Sequence, residues 1–479
     1  MEKTMLRIIS FLLVFVLLVQ TSGFLEIHAS ATNTSVINES TPTLVSEPEI
    51  IGEDISKREE SAKHYKMSDG SWLAASYPGP VHYQAENGAW LEIDNTLVPK
   101  TTEFCVSAAA MQSSEAVTES SMMQTEEDFT IKNPVEITET AYGNVANSFG
   151  VSLPSSLNDQ SWVGAFHDGH SLLFRFENIE NANARIVIPD DLELEHSEKM
   201  NDTFAANTYS SVAYDNILPG VNVIYELIGQ ELKESILFDR FSNVPDTLSF
   251  VIWADGLTVE ENEDGSFVFT ANDQPHFFIP APFMMDSDGE SSGKVHVAVE
   301  EIDTYAYRFT YTPDQEWLQS PERVWPVILD PVTCAEASRQ TILDTYTRQG
   351  YPMNNYLFAY RLYTGYLSSA TKNTRTFIRH TVSPTLSSGD VVIGAQYIAY
   401  GMIYDGYGEM RVTAHAVIEP WERETTWSNQ PKAEEEILDF QIITPTMLKP
   451  YSWDITSAAQ RWYSGDLAGK GELANKVLC

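Results

Sequence analysis

The segment YPGPVHYQAENGAWLEIDNTLV, residues Tyr77 to Val98, carries the clearest structural signal in the chain. Two apolar runs flank Asn87-Gly88, and Asn-Gly between such runs is the strongest short-range signal for a β-hairpin. The second run contains Trp90 and Ile93, residue types that favour strands. The segment therefore predicts antiparallel β structure near the start of the folded chain.

Short β segments continue from this hairpin as far as Pro331. Each is broken by Gly, Asn, Asp or Pro, as an antiparallel all-β domain requires. The pattern of strands alternating with long helices, typical of doubly wound sheets and barrel enzymes, is absent from this sequence. The predicted strands are Ser171–Phe176, Ala184–Ile188, Val221–Leu227, Ser235–Phe238, Leu248–Trp253, Ser266–Thr270, Lys294–Val299 and Tyr305–Tyr311. We therefore predict an all-β fold.

The N-terminus has the pattern of a secretory signal peptide. Lys3 and Arg7 precede an apolar run, and Ala29-Ser30-Ala31 supplies a small-residue cleavage site. The apolar run is shorter than the roughly 20 residues that cross a bilayer, so a retained membrane anchor is the weaker alternative. We predict that residues 1–31 are removed on export, and we predict no other contact with a membrane.

Two further segments have compositions that disfavour a packed core. Residues 32–60 are rich in Ser, Thr, Pro and Glu, which predicts a disordered leader. Residues 107–128 are rich in Ser, Glu, Met and Ala, which predicts a mobile insert or, alternatively, a short helix.

Charge divides the chain into two parts. The net charge of the 479 residues is −39, with 54 acidic and 16 basic residues up to Glu336 and 14 acidic and 13 basic residues after it. The first part therefore carries −38 and the second −1. The acidic part disfavours nucleic acid and anionic lipid as partners, and its charge suits divalent cations, a cationic surface or simple solubility. Cys105, Cys334 and Cys479 are too few and too dispersed for a disulfide framework.

A series of motifs in the first part resembles a known family. Together with the opening hairpin, these motifs resemble, in order, exported bacterial wall-associated proteins, some of which continue into YD-repeat or polymorphic-toxin arrays. The resemblance implies an extracellular, cell-wall-associated module over residues 61–331. The motifs are Tyr214–Tyr225, Leu232–Leu237, Ile279–Asp286 and Trp325–Pro331.

The second part resembles the DNRLRE domain, a jelly-roll β-sandwich related to carbohydrate-binding modules. This resemblance implies a domain over residues 337–479 that binds glycans or acts as a spacer, without catalysis. Asp454 and Thr456 are expected to cap a helix over Ser457–Tyr463. Gly465–Cys479 lacks the expected final strand, so the domain is predicted to be truncated or to have a degenerate last strand. The motifs are Asp344–Tyr346, Asn354–Tyr356, Arg375–Arg379, Val391–Ala395, Val417–Trp421, Thr425–Pro431 and Trp453–Thr456.

Catalytic and metal signatures are weak in this sequence. It lacks HExxH, Walker A, Gly-x-Ser-x-Gly and paired CxxC motifs. His167 and His170 offer two metal ligands, but a hairpin turn at Asp168-Gly169 is favoured. The oxygen-rich segment Asp286–Glu290 leaves a structural Ca²⁺ site open, although a solvated turn is favoured. We therefore predict no catalytic residues, no cofactor and no metal site.

Four tyrosines, Tyr346, Tyr356, Tyr363 and Tyr366, are the candidate glycan-binding residues, since sugar rings stack on aromatic faces. Core packing is the alternative for these tyrosines, and it is the favoured role for Trp421 and Trp427. The predicted protein is a secreted, non-enzymatic cell-surface protein whose partner is an extracellular or cell-wall polysaccharide. The alternative is the N-terminal presentation part of a larger YD-repeat or toxin protein with downstream domains. A polysaccharide-acting enzyme is a third, weaker possibility.

Overall fold

The structure is a computed structural model. It describes residues 14–21, 48–77, 79–107, 109–111, 134–187, 204, 206–287, 290–330, 332–334, 342–356, 362–368, 372–380, 386, 390–401, 409–421, 425–443, 449–464 and 477–478. Strands account for most of these residues, which confirms the predicted all-β class. The chain divides into two compact units. The first lies within Gly79–Gln340, and the second combines segments of Ser10–Pro78 and Thr341–Cys479.

The strands and helices are numbered in chain order. The N-terminal strands of the second unit are β1 (Val14–Thr21), β2 (Ile50–Glu53), β3 (Ala62–Met67) and β4 (Trp72–Ser76). The first unit contains β5 (His82–Gln84), β6 (Trp90–Glu92), β7 (Asp94–Ser107), β8 (Pro134–Ala146), β9 (Phe149–Pro154), β10 (Ser156–Leu157), β11 (Val163–His167), β12 (His170–Phe176), β13 (Ala182–Val187), β14 (Tyr209–Leu218), β15 (Val221–Ile228), β16 (Glu231–Phe238), β17 (Leu248–Trp253), β18 (Thr258–Glu261), β19 (Phe267–Ala271), β20 (Gln274–Ile279), β21 (Phe283–Asp286), β22 (Ser291–Ser292), β23 (His296–Asp303), β24 (Ala306–Thr312), α1 (Gln315–Leu318), β25 (Val327–Asp330) and β26 (Val332–Cys334). The second unit ends with β27 (Ile342–Arg348), β28 (Gly365–Ser368), β29 (Lys372–His380), β30 (Asp390–Gly401), β31 (Met410–Ala414), β32 (Asp439–Ile443), β33 (Lys449–Asp454), α2 (Thr456–Ser464) and β34 (Val477–Leu478).

Two large antiparallel sheets make up most of the first unit, which also contains the two-stranded sheet of β5 and β6. One has the strand order β23-β24-β17-β12-β11-β9-β8-β7, and the other follows the path β10-β13-β14-β15-β16-β26-β20-β19-β18. Apolar side chains from both sheets meet in one core, for example Phe250 from the first sheet and Ile236 and Phe269 from the second. Each of these three side chains is less than one-tenth exposed. Burial of such side chains between two sheets is the main stabilising interaction of a β-sandwich.

The opening hairpin is confirmed. Strands β5 and β6 pair antiparallel with Gln84 opposite Trp90. Gly88 has a φ of +80°, a backbone conformation that glycine adopts without steric cost. The Asn87 side chain accepts a hydrogen bond from the Ala89 amide at 3.0 Å. The turn residues therefore act as the sequence predicts. The eight strands predicted between Ser171 and Tyr311 also form, with shifts of up to four residues at their ends. Ile188, the predicted end of one of them, lies outside the described residues.

Parts of the predicted domain plan differ from the structure. Strand β2 and a 3₁₀ turn at Ile55–Lys57 lie in the segment expected to be a disordered leader, where Ile50 pairs with Met67 of β3. Strands β3 and β4 belong to the second unit and not to the first. Residues 32–47 of the leader and 112–133, which include most of the predicted insert, lie outside the described residues.

The predicted signal peptide lies mostly outside the described residues. Its described part is strand β1, which pairs with β4 on one side and β30 on the other. Removal of residues 1–31 stays a prediction. Within the described residues, no helix is long and apolar enough to span a bilayer.

The second unit contains a larger sheet ordered β2-β3-β4-β1-β30-β33 and a smaller one ordered β27-β29-β28. Helix α2 begins after Asp454, whose carboxylate accepts a hydrogen bond from the Thr456 amide at 2.8 Å. The helix buries Ala458, Ala459 and Trp462, as its apolar spacing predicts. The two-residue strand β34 pairs with β29. It lies in the segment for which the sequence predicts either a truncated domain or a degenerate last strand.

Candidate functional site

Two of the four candidate tyrosines are buried. Tyr346 is 0% exposed and Tyr356 is 4% exposed, and their rings stack with centroids 4.5 Å apart. Tyr363, which is half-buried, meets Tyr346 edge-on at 5.2 Å. The expectation that these tyrosines form an exposed platform is therefore wrong for Tyr346 and Tyr356, because neighbouring side chains cover their faces. Their proposed contact with a glycan finds no support in this geometry.

Arg348 holds the buried tyrosine cluster together. Its guanidinium lies 4.6 Å from the ring centre of Tyr356 and 5.3 Å from that of Tyr346. It also donates a hydrogen bond to the Tyr346 hydroxyl at 2.9 Å. Burial raises the pKa of Tyr346 above its ordinary value, and the nearby guanidinium partly offsets this rise. A buried cation over aromatic faces strengthens packing, so the cluster is structural.

Tyr366 is the candidate tyrosine that faces solvent, with 59% of its surface exposed. It lies on β28 directly opposite Asn373 of β29, so the two side chains share one face of the small sheet. Arg375 is two residues further along β29 and projects from the same face. This face is opposite to the one that carries Tyr346, because Tyr346 pairs with Thr376. Exposed Tyr366, Asn373 and Arg375 therefore lie together.

A loop over Thr425–Pro431 adds an aromatic ring to this face. The Arg375 guanidinium lies 5.3 Å from the ring centre of the half-buried Trp427. Gln430 donates a hydrogen bond to the Trp427 carbonyl at 2.9 Å and accepts one from Arg375 at 3.5 Å. The Asn355 side chain donates to the Thr425 carbonyl at 2.9 Å, which anchors the loop. The sequence motif around Trp427 thus places the tryptophan beside β29.

We call this surface the Arg375–Trp427 patch. Asn373 donates a hydrogen bond to Gln349 at 2.9 Å, so the two exposed amides are held in a fixed orientation. Aromatic faces stack on the apolar faces of sugar rings, and amide and guanidinium groups bond to hydroxyls. The patch therefore offers both kinds of contact that a sugar needs. It consists of Gln349, Tyr366, Asn373, Arg375, Trp427 and Gln430.

A second exposed cation–aromatic pair in the same unit provides a comparison. The Arg411 guanidinium lies 4.1 Å from the ring centre of Phe440. Phe440 is 46% exposed, but its exposed neighbour Ile442 is apolar. This pair offers an aromatic face with few hydrogen-bonding groups beside it, so it is a poorer match to a sugar than the Arg375–Trp427 patch.

The other sequence candidates have structural explanations. Asp286 is 3% exposed and pairs with Arg323 at 2.7 Å, so it is not part of a solvated turn. Its second oxygen accepts a hydrogen bond from the Glu290 amide at 2.9 Å. Asp168-Gly169 forms the predicted hairpin turn between β11 and β12, with His167 opposite His170. Trp421 is 4% exposed and packs on Phe377, as expected of a core residue.

The comparisons with known proteins bear on this second unit. Residues 335–468 match the model of carbohydrate-binding module family 96. The matched range contains every residue of the Arg375–Trp427 patch. The finer assignment to a DNRLRE domain stays a prediction.

Comparisons with curated proteins extend over most of the chain. The chain is 24% identical over 436 residues to the tRNA nuclease WapA of Bacillus subtilis strain 168 and 23% identical to the tRNA3(Ser)-specific nuclease WapA of Bacillus spizizenii. It is also 24% identical to the tRNA(Glu)-specific nuclease WapA of Bacillus subtilis subsp. natto. Each match covers 86% of this chain and 16% of the relative. The chain therefore spans about one-sixth of the length of these relatives.

The names of these relatives contradict one sequence-based prediction. We expected a protein without enzymatic activity, and all three relatives are named as tRNA nucleases. Those names also oppose the expected absence of a nucleic acid partner. The expected absence of enzymatic activity rested on missing catalytic motifs and on the resemblance to a DNRLRE domain, and the expected absence of a nucleic acid partner rested on the acidic composition. Both kinds of observation describe this chain, and they say nothing of what the larger relatives do.

Sequence reasoning missed most of the Arg375–Trp427 patch. Trp427 was assigned to the core, and Arg375 had been noted only as part of a family motif. The alternation along β29 was the available signal, since Asn373 and Arg375 project from one face while Thr374 and Ile378 project from the other. The loop that places Trp427 beside Arg375 is separated from it by about 50 residues, and single-sequence patterns do not detect such contacts.

Proposed function

We propose that the chain attaches to an extracellular or cell-wall polysaccharide through the Arg375–Trp427 patch. The match of residues 335–468 to a carbohydrate-binding module family carries this proposal. The patch supports it, because the patch combines a tryptophan and an exposed tyrosine with oriented amides and a guanidinium. Attachment of this kind gives adhesion at a cell surface.

The chain is, in this proposal, the attachment and presentation part of a larger WapA-like surface protein. The partial coverage of the relatives supports this view, since 84% of each lies outside the match. The pattern of a signal peptide at the N-terminus supports export. Secretion, wall association and adhesion belong to the proposal.

A glycan array tests the polysaccharide partner. The purified chain, labelled with a fluorophore at the exposed thiol of Cys105, should be retained on one class of polysaccharide. The Trp427→Ala variant should lose most of this signal, whereas Phe440→Ala should retain it. If no polysaccharide on the array retains the unaltered chain, the proposal is wrong.

Cleavage of tRNA is a second candidate function, favoured by the names of the relatives. Incubation of the purified chain with total tRNA, followed by a denaturing gel, measures it directly. Dose-dependent tRNA fragments would support this candidate. Intact tRNA at a large excess of protein would eliminate it for this chain without affecting the glycan proposal.

A further inference from the structure

A lysine and an aspartate are in contact within the twelve-stranded sheet of the first unit. Nζ of Lys233 lies 3.0 Å from a carboxylate oxygen of Asp330, and the two side chains are 15% and 1% exposed. Lys233 lies on β16, and Asp330 is the last residue of β25, which pairs antiparallel with β16. The pair therefore bridges two neighbouring strands at a position that is largely shielded from water.

A second carboxyl group lies beside this pair. Glu226 of β15 is directly opposite Lys233 in the antiparallel ladder, so the two side chains project from the same face of the sheet. Glu226 is 2% exposed, and its carboxylate accepts a hydrogen bond from the Tyr209 hydroxyl at 2.7 Å. Glu234 follows Lys233 in the strand and therefore projects from the opposite face, where it accepts a hydrogen bond from Tyr225. Glu226 is thus the glutamate that shares a face with Lys233.

Burial makes the ionised forms of these groups costly. Two charges that leave water lose their hydration, and a neutral amine beside a neutral carboxylic acid avoids much of this cost. Burial also raises the pKa of Glu226, although the neighbouring Lys233 partly offsets the rise. Transfer of one proton from the ammonium group of Lys233 to the carboxylate of Asp330 leaves a neutral amine, which is a nucleophile, in contact with a carboxylic acid.

We propose that Lys233 and Asp330 join in an intramolecular amide bond, with Glu226 as the proton-transfer group. Nζ of the neutral lysine attacks Cγ of the protonated aspartate, and an N–C bond forms. Glu226 takes a proton from this nitrogen and gives it to the leaving hydroxyl group, so that the C–O bond breaks and water departs. One ammonium and one carboxylate yield one amide and one water, so the step needs no further reactant and returns Glu226 to its starting state.

The fold favours this reaction in two ways. Groups that are held in contact react as they would at a very high concentration, because their positions are already fixed. Exclusion of water removes the reactant of the reverse reaction, and the neutral amide needs less hydration than the ion pair. The bond would link β16 covalently to β25 and restrict the unfolded chain, as a disulfide does.

An exposed ion pair in the second unit provides a comparison. Lys432 and Glu419 lie 2.9 Å apart, but their side chains are 77% and 40% exposed. Water hydrates both charges there and is available to hydrolyse an amide. We therefore expect no amide bond between Lys432 and Glu419, although their contact distance is similar to that of Lys233 and Asp330.

Mass spectrometry of the denatured full chain tests this proposal. The unaltered chain should be lighter than its sequence by one water molecule, and a protease digest should contain a branched peptide that carries both Lys233 and Asp330. Lys233→Arg keeps the positive charge but lacks the amine, so it should have the full mass and a lower unfolding temperature. Glu226→Gln keeps the size of the side chain but removes the proton-transfer group, so most of this variant should stay unlinked.

Lys432→Arg is the matched control, because it alters the exposed pair and should retain the branched peptide. The main readout comes from the unaltered chain, so the test does not depend on the folding of a variant. If digestion of the unaltered chain yields Lys233 and Asp330 only in separate peptides, the bond does not form and the proposal is wrong. An equal yield of the branched peptide in Glu226→Gln would overturn the role of Glu226.

Discussion

Replacing Glu234 by glutamine should make the first unit more stable at alkaline pH. Glu234 lies on β16 in the core of the sandwich, and burial raises its pKa from 4.5 to about 8. One carboxyl oxygen accepts a hydrogen bond from the Tyr225 hydroxyl at 2.6 Å, and the other has no hydrogen-bond partner among the described residues. The folded unit therefore holds this side chain in its neutral form near pH 7.

The direction of the pH effect follows from proton binding. Between pH 4.5 and about 8 the folded chain keeps the Glu234 proton and the unfolded chain releases it. The contribution of Glu234 to the free energy of unfolding is therefore fully present below pH 4.5, and it is lost as the pH rises to about 8. The difference between the ordinary pKa of 4.5 and the raised pKa of about 8 corresponds to several kcal/mol, a large fraction of the roughly 5–15 kcal/mol of a typical domain.

Urea unfolding followed by tryptophan fluorescence measures this effect. Trp162 and Trp253 are buried in the first unit and should report its unfolding. At pH 4.5 the unaltered chain and Glu234→Gln should differ by about 1 kcal/mol or less, whereas at pH 8.5 the variant should be more stable by several kcal/mol. Glu260→Gln, at an exposed position of β18, is the control and should follow the unaltered chain. Equal pH dependence in the unaltered chain and in Glu234→Gln would refute the reasoning.

Two further predictions concern buried groups, and each has an exposed control. Tyr356→Ala should destabilise the second unit by about 3–5 kcal/mol in thermal unfolding, because it leaves a cavity, whereas Tyr366→Ala should cost about 0.5 kcal/mol or less. Equal melting temperatures for the two variants would show that Tyr356 is not a core residue. Arg323→Ala should cost about 3–5 kcal/mol in urea unfolding, because it leaves the Asp286 carboxylate buried without its cation. Arg185→Ala breaks an exposed pair with Asp215, so it should cost about 1 kcal/mol or less, and a similar loss in both variants would contradict the interpretation.

Strands and helices were predictable from the sequence where residue type and the flanking turn or capping residues indicated the same element. Leu248–Trp253 is rich in β-branched and aromatic residues and has turn residues at both ends, and the strand forms with the predicted bounds. Helix α2 was equally clear, because a capping carboxylate precedes apolar residues at helical spacing. The buried partners of these elements come from distant strands, and local patterns carry little information about them.

The long hairpin of β7 and β8 shows where local signals fail. Its strands, Asp94–Ser107 and Pro134–Ala146, are separated by a polar segment and carry many exposed residues. Pairing along their length stabilises them, since Lys100 lies opposite Ala141 and Phe104 opposite Ile137. Such cross-strand pairs are tertiary contacts, so they stabilise strands that propensity alone does not predict.

The candidate site was misjudged for a related reason. Tyr346 and Tyr366 both lie in short β-strands, but β27 directs Tyr346 into the core and β28 directs Tyr366 to the surface. A change of one residue in register would exchange inside and outside. Register within this small sheet depends on pairing with β29, so aromatic content alone did not distinguish a core tyrosine from a surface one.

Calorimetric titration with the polysaccharide that the glycan array selects tests the central claim most directly. The unaltered chain should bind it, and Trp427→Ala should bind about tenfold more weakly or worse, which corresponds to about 1.4 kcal/mol or more of lost binding energy. Phe440→Ala removes the ring of the Arg411–Phe440 pair and should bind as the unaltered chain does. Unchanged affinity in Trp427→Ala would show that the glycan, if it binds, binds elsewhere, and would contradict the assignment of the Arg375–Trp427 patch.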